Sequence, residues 1–216
     1  MTLRVHPKVV DISHWQRPWS YEQAHAFGIR GVIHKVTEGD AVVDKTWPIR
    51  WKAILGAEML LGGYHFIRPG DMRHQAQRFV DECDPDAKML LALDHEDRNV
   101  SLGHAIEFMQ AVEADIGRKV AFYSGFLIKE QIGRATADQI AFLKGRRLWL
   151  SDYRAHPTWP THVWPAPWLW QESGDGHGPG PHNIAGIGNK IDINSFEGTD
   201  DELAAQWPGD PLEAAA

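Results

Sequence analysis

The sequence predicts a single α/β domain built as a barrel of eight strands, and three observations lead there. Eight short apolar, β-branched runs recur along the chain, helical patterns separate the first six of them, and the helical patterns stop after the sixth. At 216 residues there is room for one well-buried core and little for a second, and 43% hydrophobic with 24% charged residues is ordinary globular usage.

The first run, 8–12, is followed by Ser20-x-x-Gln23, a capping box whose side chains satisfy the free amides at a helix start. After the second run, 31–36, Trp47, Trp51, Ile54 and Leu55 share one face at the 3.6-residue period and read as helix-to-barrel packing. The third run, 59–66, leads to Met72, Ala76, Phe79, Val80 and Cys83 on one helical face. The fourth, 89–94, leads to Leu102, Ala105, Ile106, Met109 and Ile116, with Ser101 placed as N-cap. The fifth, 119–123, is followed by the box Thr136-x-x-Gln139, and 148–151 is the sixth. Continuous apolar runs this short fit strands covered on both faces. Pro157, Pro160, Pro165 and Pro167 then exclude a continuous helix before the seventh run, 168–171, and the Gly-rich connection 172–189 excludes one before the eighth, 190–194. A last box, Thr199-x-x-Glu202, starts a final helix. Strand and helix alternate five times and three late strands are joined by loops, as in a parallel barrel whose last third has lost its helices; an open doubly wound sheet is the alternative. The domain spans 1–207 and leaves 208–216 as a frayed tail.

Twenty-two Lys and Arg against 29 Asp and Glu give a net charge of -7, which argues against nucleic acid and against an anionic membrane surface as partners. The single cysteine, Cys83, cannot form an internal disulfide and reads as a small buried hydrophobe. No run approaches the roughly 18 apolar residues of a membrane span and the N-terminus shows no leader pattern, so synthesis in the cytoplasm, no stable membrane association and a monomer are expected. There is no nucleophile elbow, phosphate loop or dinucleotide fingerprint, and no cofactor is implied. His14, His34, His65 and His95 lie near strand ends beside Asp11 and Asp94, which raises a metal-dependent hydrolase as a rival. Without a His-Glu-x-x-His helix they read as structural hydrogen-bonders, and no metal is expected.

In a barrel the functional groups gather at the C-terminal ends of the strands. The runs there carry Asp11, Tyr64-His65-Phe66, Asp94-His95-Glu96, Tyr123, Asp152-Tyr153, Trp170-Gln171 and Asp192. Asp94 and Glu96, two apart on a strand, point to one side with Cα atoms roughly 6.5 to 7 Å apart. Their closeness, with burial among aromatics, predicts a Glu96 carboxyl still protonated near neutral pH, which is what protonating a glycosidic oxygen requires. A solvated acidic turn, 94–98, is the plainer alternative. Trp15, Phe66, Tyr123, Tyr153 and Trp170 are candidate stacking surfaces for sugar rings, whereas Lys35 and Glu38 read as a structural ion pair.

Asp11-Ile-Ser-His-Trp-Gln16, Lys35-Val-Thr-Glu-Gly39, Gly63-Tyr-His-Phe66, Leu93-Asp-His-Glu96, Tyr123-Ser124, Leu148-Trp-Leu-Ser-Asp-Tyr153, Trp170-Gln171 and Ile191-Asp-Ile-Asn194 together resemble the successive blocks of the glycoside hydrolase family 25 muramidases, the Chalaropsis-type lysozymes. The resemblance runs from about residue 9 to residue 196 and implies a (βα)5β3 TIM-like barrel. It further implies hydrolysis of the β-1,4 bond between N-acetylmuramic acid and N-acetylglucosamine in the glycan strands of peptidoglycan, with net retention. Glu96 would be the acid/base, Asp94 would assist it, and Asp11 and Asp192 would complete an acidic floor. Tyr64, Phe66, Trp15, Tyr123, Tyr153, Trp170 and Gln171 would contact substrate. Retention through the substrate's own acetamido group is favoured, Asp94 stabilising the oxazolinium and Tyr64 donating to it; Asp11 or Asp192 as direct nucleophile is the alternative. Two departures stand out: Glu172 follows Trp170-Gln171, adding a carboxylate that either stands near the mouth at a sugar subsite or faces solvent, and 174–188 is long and Gly-rich, which would shape the cleft there differently. A catalytically silent wall-binding module is the rival from another class, and the presence of all four carboxylates argues against it. With no leader in view, a phage or prophage endolysin that reaches the extracytoplasmic wall after release is the expected setting.

Overall fold

The computed structural model describes residues 3–212. Its barrel strands are β1 (Pro7–Ile12), β2 (Gly31–Glu38), β3 (Leu60–Phe66), β4 (Leu90–Asp94), β5 (Ala121–Ser124), β6 (Leu148–Ser151), β7 (Leu169–Ser173) and β8 (Asp192–Ser195). Each of the eight apolar runs becomes one of them. The strands hydrogen-bond in chain order, and β8 pairs back onto β1, so the sheet closes. A two-residue strand, Val42–Val43, pairs antiparallel with the end of β2, and Asn183–Ile184 forms a small hairpin with Gly188–Asn189.

The helices are α1 (Tyr21–Phe27), α2 (Trp47–Gly56), α3 (Met72–Cys83), α4 (Leu102–Ile116), α5 (Phe126–Gln131), α6 (Ala137–Lys144) and α7 (Asp200–Gln206). They fill the first five connections and the end of the chain, and β6, β7 and β8 are joined by loops. Thr136 and Thr199 form complete capping boxes, and Ser101 caps α4 through the His104 amide. Ser20 caps α1 by half a box: its hydroxyl accepts from the Gln23 amide, while the Gln23 side-chain carbonyl accepts from the Trp19 indole instead.

The expectation of parallel strands throughout is corrected at one place. Strands β1 to β7 run parallel, but β8 is antiparallel to both β7 and β1. A parallel strand needs a crossover that carries the chain back across the sheet. The Gly-rich connection has no such helix and stays at the end where β7 finishes, so β8 starts there and runs back. Asp192 therefore reaches the mouth as the first residue of its strand, level with Asp11.

Alternation along the strands divides the buried apolar residues into two groups. Val9, Ile33, Leu90, Ala92, Ala121, Tyr123, Trp149 and Leu169 fill the barrel, while Val10, Val32, Leu61, Leu91, Phe122, Leu150 and Trp170 face the helices. Leu203 and Trp207 join the inner group from α7 and beyond. The Trp207 indole donates to the Leu61 carbonyl at 2.7 Å, and a Cβ on Gly31 would lie 2.7 Å from its ring, so glycine at the start of β2 makes room for this plug. The N-terminal end of the barrel is thereby closed and the other end is left for the site.

The segment read as a frayed tail is tied down over its described part. The Lys119 amide donates to Asp210 O, the Leu212 amide donates to Gly117 O, and Arg147 pairs with Asp210; residues 213–216 lie outside the described residues. Cys83 is buried and its thiol is pushed up by burial. No described helix is long and apolar enough to cross a membrane.

Trp207→Ala opens a cavity under Gly31 and is expected to cost about 3–5 kcal/mol of stability, read as a lower midpoint in urea or thermal unfolding. An unchanged midpoint would show that Trp207 does not plug the barrel.

Candidate active site

The inward positions at the open end are polar where those below are apolar. Asp11 Oδ2 accepts from Gln171 Nε2 at 2.9 Å and from Asn194 Nδ2 at 2.8 Å. Both amides are held in that orientation from behind. Asn194 Oδ1 accepts from the Trp149 indole at 2.6 Å, and an indole N–H can only donate, so the amide nitrogen must face Asp11. Gln171 Oε1 accepts from Tyr123 Oη at 2.8 Å, Tyr153 Oη at 2.9 Å and Ser151 Oγ at 3.0 Å. Burial pushes the Asp11 carboxyl up to about 6, against the pull of these two amide donors.

Strand β4 ends at Asp94, so Glu96 stands in the loop beyond it rather than on the strand. The alternation nevertheless persists. His95 N donates to Tyr123 O at 2.9 Å, and the buried His95 ring turns outward to Phe122 and Gln131. Asp94 and Glu96, on either side, turn to the mouth. Asp94 is buried with Oδ1 lacking a described partner, and burial followed by the charges of Glu96 and Asp11 holds its carboxyl well above the usual range. Glu96 touches solvent on one side and is crowded by protein on the other. Desolvation and then the Asp11 charge raise its pKa, and Glu96 in turn repels the Asp94 carboxyl, so the two neighbours resist ionising together as their spacing predicts. Asp192 is raised to about 8 by burial, Asp11, Asp175 and Glu96. Four carboxyls that perturb one another cannot all be ionised together, so the mouth retains protons toward neutral pH. The Tyr64 phenol stands edge-on to Trp149, and burial with Asp94, Asp11 and Asp192 keeps it protonated as a donor.

Other candidates lie elsewhere or act differently. Trp170 is on the helix-facing side of β7, only 3% exposed, with its indole donating to Asp152 O at 2.7 Å; it offers no face to a sugar. The Asp152 carboxylate is paired with Lys129 and Arg154, which hold it well below the usual range. Tyr123 is buried against Trp149 and orients Gln171 rather than stacking on substrate. The half-buried Phe66 ring has the Arg68 guanidinium 4.4 Å and the Lys35 ammonium 5.1 Å from its centre. Tyr153 stands at the rim, and Trp15 is 78% exposed. Lys35 does pair with Glu38, and Arg68 joins Glu38 at 2.7 Å to Asp97 at 2.9 Å, so this network anchors the residue next to Glu96. Asn194 and Trp149, which set the Asp11 environment, were within reach of the alternation argument. Exposed Trp19 carried no signal in the sequence.

The histidines are tied into the frame. His34 contacts Lys35 O and Thr46, His65 lies between Thr37 and Gln75, and burial lowers both to about 4, so they are neutral at neutral pH. Among the described residues, no three or more His, Cys, Asp or Glu are grouped so as to hold a metal.

Glu172 neither enters the mouth nor faces solvent. It is buried outside the barrel wall beneath the Gly-rich loop, accepts from Ser195 Oγ, and has Oε1 without a described partner. A Cβ at Gly180 would collide with its carboxyl. Burial pushes it up to about 7 from an ordinary 4.5. A carboxyl with a raised folded pKa favours the fold while protonated, and that contribution is lost as pH rises from about 4.5 through about 7. Glu172→Gln is therefore expected to flatten the fall in Tm across this window, measured by thermal unfolding against pH; a fall equal to that of the wild type would show that Glu172 does not carry it.

The family model described as glycosyl hydrolases family 25 matches residues 10–181. The uncharacterized protein YegX of Escherichia coli strain K12 is 24% identical over 209 residues, covering 91% of this chain and 71% of its own. The bacterial lysozyme from Streptomyces coelicolor superposes with a TM-score of 0.81 at 22% identity, over 95% of this chain and 99% of its own. The catalytic domain of endolysin ply40 from bacteriophage P40 of Listeria monocytogenes gives 0.70 at 18% identity, over 96% and 99%. At these identities the two structures speak for a shared fold, a mixed α/β barrel of eight closed strands. The family model spans most of that barrel, and the chain belongs to family 25 of the glycosyl hydrolases.

Proposed function

We propose that the protein is a lysozyme that hydrolyses the β-1,4 bond between N-acetylmuramic acid and N-acetylglucosamine in peptidoglycan. The observation that carries this reading is the convergence of Asp94, Glu96, Asp11 and Asp192 on one open mouth, with burial and mutual repulsion raising all four. Five helical crossovers followed by three loop-joined strands fit the family's (βα)5β3 description.

Glu96, the carboxyl of the pair that opens to solvent, donates its proton to the glycosidic oxygen as the bond breaks and takes one from the incoming water afterwards. Retention runs through the acetamido carbonyl oxygen of the sugar, which attacks the anomeric carbon. Asp94 stabilises the resulting oxazolinium, and Tyr64 donates a hydrogen bond to it. Two features favour this route over direct attack by Asp11: one of its oxygens is already occupied by two amide donors, and those amides are locked from behind. Asp11 then serves as the fixed negative end of the floor. The substrate places the site of action at the cell wall. A phage or prophage endolysin is the proposed setting, and neighbouring holin or tail genes would support it.

Mass spectrometry of digested peptidoglycan tests the reaction: fragments with muramic acid at the reducing end are expected, and glucosamine ends or binding without new reducing ends would overturn it. Glu96→Gln is expected to lower kcat by about 10²- to 10⁴-fold with an unchanged Tm, and turnover at the wild-type rate would remove Glu96 from its role. Because the acid must hold its proton, kcat should fall on the alkaline side, with a limb above the ordinary carboxylate range of about 4 to 5.

A further inference from the structure

Beside the acidic mouth lies a second concavity of about 390 Å³, within the size range of ligand pockets. Trp15, Arg17 and Trp19 of the β1–α1 connection form one wall, and Asp175, Asn189 and Lys190 of the long β7–β8 loop form the other. We propose that this ledge binds an additional sugar unit of the glycan strand, beyond the two that flank the scissile bond, on the Asp192 side. This inference rests on the lysozyme reading and extends it to the length of glycan the enzyme engages.

Two large indoles stand open here, Trp15 at 78% and Trp19 at 63% exposure, where burial in the core would be the usual fate of such side chains. Trp19 is held in place. Its indole donates to Gln23 Oε1 at 3.3 Å, and its backbone amide donates to Gly186 O at 2.8 Å, as the Ser20 amide does at 3.0 Å. Gly186 has φ +84°, and a Cβ there would collide with Ser20 O, so only glycine lets the loop dock this closely. The wall is thus arranged before any ligand arrives, which reduces the ordering cost of binding.

The concavity borders the mouth, since Ile191 in its wall directly precedes Asp192. Asp175 in its wall is close enough to raise the Asp192 carboxyl, and a Cβ on the neighbouring Gly174 would strike both Tyr153 and Asp192. Its chemistry suits an acetylated sugar that carries an acid. Indole faces stack on the apolar C–H face of the ring, and Asp175 and Asn189 can meet its hydroxyls. Arg17 and Lys190, exposed and in no ion pair among the described residues, can meet a carboxylate on the lactyl group of a muramic unit.

The test compares the disaccharide N-acetylmuramyl-β-1,4-N-acetylglucosamine, which fills only the two positions flanking the scissile bond, with an octasaccharide of alternating N-acetylglucosamine and N-acetylmuramic acid, which also reaches the ledge. In Trp19→Ala the preference for the octasaccharide in kcat/KM is expected to fall about tenfold, a change of about 1.4 kcal/mol, through KM rather than kcat. Phe27→Ala, on exposed surface at the end of α1, should leave that preference intact. An unchanged preference in Trp19→Ala, or an equal loss on both lengths, overturns the proposal. Tryptophan fluorescence titration of Glu96→Gln, with and without Trp19→Ala, separates this from the parent reading. If the wild type proves inactive, the lysozyme reading fails while tighter octasaccharide binding that depends on Trp19 still supports the ledge. Equal binding of both lengths overturns it.

Discussion

One strand running backward holds this molecule together. β8 is inserted between β7 and β1, closes the sheet and sets what stands at its open end. Were β8 parallel, Asp192 would lie toward the plugged end, and Asn194 could not reach both Asp11 and the Trp149 indole. Because it runs antiparallel, the Gly-rich connection stays on the open face, where it covers Glu172 and meets Trp19 through Gly186.

The mouth is acidic without being highly charged. Its carboxyls lie above a packed apolar interior, each costs free energy to ionise there, and each raises the cost for its neighbours. The frame answers this differently at each position. Asp11 receives two fixed amide donors, Asp94 is left with one oxygen unpartnered, and Glu96 opens to water. Similar side chains are thereby given separate tasks. The amides can do this only because phenols and an indole occupy their other ends, so the aromatic residues of the interior act on the chemistry through hydrogen bonds as much as through packing.

Much of this was legible in the sequence, and the failures have identifiable causes. Buried strands appear as short apolar runs whatever their direction, so all eight could be counted while the reversal of the last could not. Position at a strand end suggested Trp170 as a sugar contact, but alternation places it on the helix side, next to inward-facing Gln171. The same alternation pointed Asp94 and Glu96 to one side even though the strand stops between them. Glu172 could not be placed because its burial depends on a loop with no periodic signal, and Trp19 could not because exposure is a property of the finished surface. Capping boxes were more reliable where they stood alone; beside Trp19, the indole took the Gln23 carbonyl that the box would have used.

The closure also orders events in time. β1 is made first, yet its partner on one side is β8, and the plug at Trp207 arrives later still. During synthesis the first strand therefore keeps an unsatisfied edge until β8 has emerged. Pairings between such distant segments slow folding and leave apolar edges open to misassembly. The acidic mouth is therefore complete only when β8 has paired with both the first and the seventh strand.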